Sequence, residues 1–179
     1  MTLHLPAGGL LLAQPAMQDP WFEATVVLLC RHDDQGAFGL VLNRPLEVPV
    51  ATVLPEGGGL TALDEPLFWG GPVGHRRVHL LHDGPPRPGS QELVPGLCFG
   101  GDAETARAVL AEGGRLRFFL GYAGWDGGQL DEELAAGGWL VLPPDPREAW
   151  DDGWDSQWER LVPRADRRWA ARPARPDLN

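Results

Sequence analysis

Backbone breakers constrain this chain more than any other feature: glycine and proline occupy 42 of its 179 positions, 24 and 18 respectively. Proline locks φ and removes an N–H, and glycine loses the most conformational entropy inside a regular element. Short strands and short helices joined by defined turns are the expected result, and a coiled coil or helical bundle is disfavoured. Hydrophobic residues make up 43% of the chain and tryptophan occurs eight times. That is enough apolar material for a packed core, and it excludes a wholly disordered chain. The length fits one domain.

Arginine supplies all 15 positive side chains, against 25 carboxylates, for a net charge of −10. The distribution is uneven: residues 1–159 hold 9 Arg and 23 Asp or Glu, whereas residues 160–179 hold 6 Arg and 2 Asp. Phosphate binding relies on Lys and Arg, so an acidic body argues against a generic nucleic-acid-coating surface. Only the tail leaves such a role open, with Trp169 available for stacking. The tail's arginines form no stripe on a regular element, and folding back on the acidic body or plain solvation explains them as well. Residues 1–162 are expected to form the domain and residues 163–179 a flexible Arg-rich tail.

Cys30 and Cys98 each lie inside an apolar segment, VVLLCR and GLCFG. Two isolated thiols give neither a disulfide framework nor a metal spacing such as CxxC, so buried reduced thiols are expected. The start of the chain lacks a positive n-region, and its unbroken apolar run covers only Leu10 to Ala13. It reads as neither a signal peptide nor a membrane span, which points to a cytoplasmic protein without membrane contact.

Along the chain, strands are predicted at Leu10–Ala13, Thr25–Arg31, Ala37–Asn43, Leu67–Trp69, Arg76–His82, Leu116–Tyr122 and Trp139–Leu142, with a last short one at Glu148–Trp150. The second and third form an antiparallel hairpin across HDDQG. Helices are predicted near Val50–Leu54, at Ala103–Glu112 behind an Asp102 N-cap, at Gln129–Ala136 and at Asp155–Val162. In the last, Trp154 and Trp158 share the docking face at i, i+4. Strands and helices mix without regular βα alternation, which indicates an α+β fold.

Chemical motifs are sparse. No GxxxxGK[ST] or strand-borne GxGxxG occurs, so no standard nucleotide loop is present. The turn GWDGGQL opens a helix, but Asp131, Glu132 and Glu133 already supply negative charge there. His75, His79 and His82 do not share one strand face, and neither His32, Asp33 nor Asp34 completes a ligand spacing with them, so no metal is expected. There is no GxSxG. Cys30 and His32 fall on one strand face by alternation but about 7 Å apart, beyond a direct hydrogen bond, and His32 reads as a structural residue at the strand end.

The ordered segments GGLLLAQPAMQDPWFEATVVLLCRHDDQGAFGLVLNRPL (residues 8–46), WGGPV (69–73), HLLH (79–82) and LGYAGWDGGQLDEEL (120–134), followed by Trp139 and Leu140, make the chain resemble the bacterial AlgH/YqgE family. The resemblance covers nearly everything up to about Leu161. It implies one domain of intertwined α+β fold with bifurcated sheets. It supplies no enzyme activity and no cofactor; some members carry the name transcriptional regulator, yet no helix-turn-helix or basic helix is evident here. Many matched positions are glycine or proline, whose simplest role is turn geometry. The polar and aromatic remainder, His32, Asn43, Arg44, Tyr122, Trp125 and Gln129, is the expected ligand-binding set. Arg44 would grip a carboxylate or phosphate and Trp125 would offer a flat apolar contact. The leading expectation is a non-enzymatic, regulatory protein binding a small anionic ligand or a protein partner. A hydrolase using His32 or Tyr122, and a nucleic-acid-binding regulator using the tail, are the alternatives.

Overall fold

Four consecutive apolar residues bounded by Gly9 and Gln14 form β1 (Leu10–Ala13), and the β-branched run after Thr25 forms β2 (Val26–Asp33). β3 (Gly36–Val41) returns antiparallel to β2, as the hairpin pattern predicts. The structure, a computed structural model, describes residues 4–54, 60 and 65–166. β4 (Pro45–Pro49), β5 (Pro66–Trp69), β6 (Val73–His82), β7 (Ser90–Val94) and β8 (Leu97–Gly100) follow. Then come α1 (Ala103–Ala111), β9 (Leu116–Asp126), α2 (Gln129–Ala135), β10 (Trp139–Leu142) and α3 (Trp154–Ala165). The α+β expectation stands: ten strands join in the order β10-β1-β2-β3-β9-β6-β8-β7, with β4 paired to β5 and β5 parallel to β9.

β9 organises the sheet. One edge pairs with β6, while the other is shared by β5 (against Phe118–Leu120) and β3 (against Ala123–Asp126). The change of partner falls at Gly121, where the β5–β6 turn crosses the strand backbone to backbone. Gly121 has φ +73, and a Cβ there would lie 2.6 Å from the Gly71 carbonyl oxygen; at Gly71, φ +155, it would lie 2.0 Å from the Tyr122 carbonyl carbon. The glycines of WGGPV and LGYAG are therefore required by this crossing. Gly70 seals it, donating to Leu120 O and accepting from the Val41 N–H, both at 2.8 Å.

Three apolar layers result. The central one takes Leu28 and Leu40 from one half of the sheet and Phe68, Leu81 and Phe119 from the other, and α3 closes it with Trp154, Trp158 and Leu161. α2 covers a second layer of Val27, Leu29, Ala123, Trp125 and Trp139 through Leu130. α1 covers the third, Leu67, Leu80 and Phe118, through Ala106 and Val109. Phe68 and Phe119 are wholly buried, and each such side chain contributes about 1.5–3 kcal/mol.

Local signals hold where they are self-contained. Asp102 caps α1, accepting the Thr105 N–H at 3.0 Å while Thr105 Oγ1 accepts the Asp102 N–H in return. Trp154 and Trp158 dock as predicted; Trp154 packs edge-on against Phe68 and Trp158 Nε1 donates to Ala13 O at 2.8 Å. Elsewhere the structure corrects the prediction. Glu148–Trp150 is no strand but part of a 3-10 turn, Pro146–Trp150, started by Asp145 accepting the Arg147 N–H. Val50–Thr52 is likewise a single 3-10 turn. β9 runs four residues beyond Tyr122, because its glycines serve close packing and not termination. β4 and the β7–β8 hairpin were not predicted at all. α3 continues past Val162 to Ala165 with Pro163 inside it. Arg160 and Arg164 fold back on Asp151 and Glu148; the remainder of the Arg-rich tail, from residue 167, and the Gly57–Gly59 run lie outside the described residues.

The thiols agree with the expectation. Cys30 and Cys98 are buried and unbridged, and burial pushes both pKa values up, far up for Cys30. No helix among the described residues is long and apolar enough to cross a membrane.

Candidate functional site

The six residues expected to bind ligand do not converge. A bulge in β2 separates the first of them from its supposed neighbour: Leu29 pairs with Gly39 but Arg31 pairs with Phe38, so Cys30 is the extra residue. Alternation is thereby reversed. Cys30 packs in the central layer, while His32, opposite Ala37, faces the side covered by α2. The expected shared face of Cys30 and His32 does not exist.

His32 is fastened on one nitrogen and faces a carboxylate with the other. Nδ1 accepts the Leu5 N–H at 2.9 Å, and Nε2 lies 3.1 Å from Asp131 Oδ1, off the line of a well-aligned hydrogen bond. His4 stands edge-on at 5.0 Å and contacts Asp34 at 3.0 Å. Donor atoms of His4, His32 and Asp131 lie within 4.8 Å of one another, the spacing of a possible metal cluster. The tautomer argues against it. With Nδ1 accepting from a backbone N–H, the neutral ring carries its proton on Nε2, whereas a metal-bound imidazole donates its other N–H outward. The same constraint leaves no free nitrogen for a general base, so His32 ties the N-terminal segment to α2.

Asn43 and Arg44 hold the loop of residues 14–24. Asn43 Oδ1 accepts the Val26 N–H and Nδ2 donates to Ala24 O, each at 2.9 Å. Arg44 donates from Nη1 to Trp21 O at 3.0 Å and from Nη2 to Glu23 O at 2.6 Å, with its guanidinium 5.5 Å from the Trp69 ring centre. Trp21 stacks on Trp69. An arginine engaged in this way does not offer its fork to a carboxylate or phosphate, which removes the basis for an anionic ligand at Arg44. Tyr122 stacks on Phe38 at 4.6 Å among Phe99 and His79 and packs in a different layer from Trp125; the two meet only at an open cleft lined also by Arg31 and Asp126 but not by Gln129.

Trp125 and Gln129 do come together, around a residue the sequence did not single out. Glu133, one turn beyond Gln129 on α2, accepts both indole N–H groups of Trp125 and Trp139 on Oε2, at 2.8 Å each, and the Gln129 carboxamide on Oε1 at 3.2 Å. Gln129 Oε1 in turn accepts the Asp126 N–H. The carboxylate forms one wall of a cavity of about 300 Å³ between α2 and the 14–24 loop. The loop contributes Met17, Asp19 and Phe22; the strands contribute Trp125 and Trp139. Phe22 stacks on Trp125 at 6.3 Å and meets Trp139 edge-on at 5.5 Å, so three rings bound the space. The Gln129–Glu133 spacing of i, i+4 was a readable sign that both point the same way; the role of Trp139 was not, because β10 reaches this place only through pairing with β1.

Comparison with known proteins agrees with this fold. A family model described as AlgH-like, DUF179, matches residues 10–170. A UPF0301 protein of Chlorobaculum tepidum is 39% identical over 163 residues, covering 88% of this chain and 86% of the relative. A UPF0301 protein of Ralstonia nicotianae is 41% identical over 143 residues, covering 76% and 75%. The solution structure of the AlgH protein from Pseudomonas aeruginosa superposes with a TM-score of 0.73 at 30% identity, covering 98% of this chain and 100% of that one. A crystal structure of a Corynebacterium diphtheriae protein gives 0.75 at 26% identity, covering 98% and 92%. The chain belongs to the AlgH-like family.

Proposed function

We propose that this is a non-enzymatic binding protein of the cytoplasm that takes a small ligand, or one side chain of a protein partner, into the cavity between α2 and the 14–24 loop. The observation that carries this reading is the Glu133 carboxylate, oriented by two indoles and a carboxamide on the wall of an aromatic-lined cavity. Cavities that bind small molecules combine this mostly apolar lining with a few placed polar groups. Asn43 and Arg44 act as positioning residues that hold the loop carrying Phe22. We read the change of β9 partners at Gly121 as the bifurcation of the sheet, next to the cavity at Gly124. A regulatory role fits a loop that carries Phe22 in the cavity wall and Trp21, 53% exposed, at the surface.

A fragment screen read by the indole N–H resonances tests the proposal, since Trp125 and Trp139 report directly on Glu133. Fragments that bind are expected to move these two resonances together and saturably. Binders that gather only at the apolar cavity beside Leu5 and Val141, leaving both resonances in place, would contradict it.

A further inference from the structure

Resting on the binding reading above, we infer that the ligand group this cavity accepts is a compact organic cation, an alkylammonium or alkylguanidinium. The side chains that line the cavity include two carboxylates, Asp19 and Glu133, and no arginine or histidine. Among the described residues neither carboxylate has a cationic side chain within 4.0 Å, whereas Arg87, Arg117, Arg147, Arg160 and Arg164 each pair with an acid elsewhere. The nearby cation, Arg44, is turned onto backbone carbonyls and Trp69.

Lone-pair bookkeeping narrows the class. A carboxylate offers about four acceptor sites. The two indoles occupy Oε2 and Gln129 occupies one site on Oε1, which leaves one site for an incoming N–H donor. All three present donors are neutral, so the charge is oriented without being neutralised. An anion would meet this charge at close range, and a neutral ligand would leave it unanswered. A cation answers it with a charge-assisted hydrogen bond, the stronger kind. Phe22, Trp125 and Trp139 supply ring faces and edges for the apolar stem, and rings of this type attract cations. Asp19, whose Oδ1 accepts only the Trp21 N–H among the described contacts, adds a second negative group at the loop side. A volume near 300 Å³ suits a short stem and not a large heterocycle.

The test titrates the full chain, labelled with nitrogen-15, with butylguanidinium, butylammonium, butanol and butyrate at matched ionic strength. Both cations are expected to shift the Trp125 and Trp139 indole resonances saturably, with dissociation constants on the order of 1 mM for ligands this small. Butanol and butyrate are expected to leave them in place. Equal shifts with butanol or butyrate would overturn the cation assignment while the cavity stood as a binding site. Silence from all four probes would also overturn the assignment, and the fragment screen then decides separately whether the cavity binds anything.

Discussion

Arg117 and Glu133 are both charges held against the sheet, and they are treated in opposite ways. Arg117, only 3% exposed, donates to Ala149 O and Asp151 O at 3.0 Å, to Asp152 at 2.7 Å and to Glu65 at 3.4 Å. Its guanidinium lies 5.1 Å from the Phe68 ring centre and 5.7 Å from that of Trp154. Every side is answered within the chain, and the effect is to fix the 3-10 turn and the start of α3 to β9. Glu133 also has side-chain partners on two strands, but all are neutral and one side opens on a cavity. A closed network is a fastening; the oriented charge left unmatched beside a cavity is what the proposed ligand site rests on.

Breaking the fastening gives the largest expected effect. Arg117→Met keeps much of the stem's volume but leaves the buried Ala149 carbonyl and the partly buried Asp151 carbonyl without a donor, and the exposed Asp152 and Glu65 carboxylates without their cation. Loss of about 2 kcal/mol is expected, mainly from the stranded carbonyls, because both carboxylates can turn to water. Urea denaturation checks this, and hydrogen exchange in α3 should rise with it. Arg44→Gln acts one step from the cavity. Losing two charge-assisted bonds to the 14–24 loop and the contact with Trp69 should cost about 1 kcal/mol. Proteolysis or exchange in residues 19–24 should increase while β2 and β3 stay protected.

A smaller effect separates paired groups from unpaired ones. His79 Nε2 is buried without a hydrogen-bond partner. Burial, and then the nearby Arg77 charge, hold its pKa below the ordinary 6.5. The folded state therefore favours the neutral ring. Its contribution to stability is complete above 6.5 and is lost as pH falls below that value, because the unfolded chain takes up the proton first. His79→Phe keeps the ring among Phe38, Phe99 and Tyr122. The drop in urea midpoint between about pH 7.5 and about pH 5.5 should be smaller in the variant than in the native chain.

The same contrast explains what could be read in advance. The β2–β3 hairpin, the Asp102 cap and the tryptophan face of α3 are encoded within a few neighbouring residues, and each formed where expected. Trp125 and Gln129 share a motif in the sequence and line one cavity in the structure. Glu133 was read only as an acid in a helix's first turns, since its two indole donors arrive on strands ordered by pairing across the whole sheet. Arg44 misled for a related reason: a charge in a polar motif suggests a ligand, yet its acceptors are carbonyls of a loop whose path only the folded chain defines. The bulge at Cys30 has no local signature, and it reversed the face on which His32 lies. β4 and the β7–β8 hairpin carry no such local signal: Pro45, Pro49, Gly89 and Gly96 look like breakers in the sequence, and they stand at the ends of these strands.

The proposed function requires Glu133 to be an open charge for a ligand and not a second fastening. The most direct measurement is the dissociation constant of butylguanidinium for the native chain and for Glu133→Gln, alongside the urea midpoint of each. Glutamine can still accept both indoles on its one oxygen and gives up only the bond from Gln129, so the midpoint should fall by no more than about 1 kcal/mol's worth while binding weakens at least about tenfold, the loss of one charge-assisted hydrogen bond. Equal affinity in the two proteins, or a variant that loses stability without losing binding, would make Glu133 a fastening and not a ligand group.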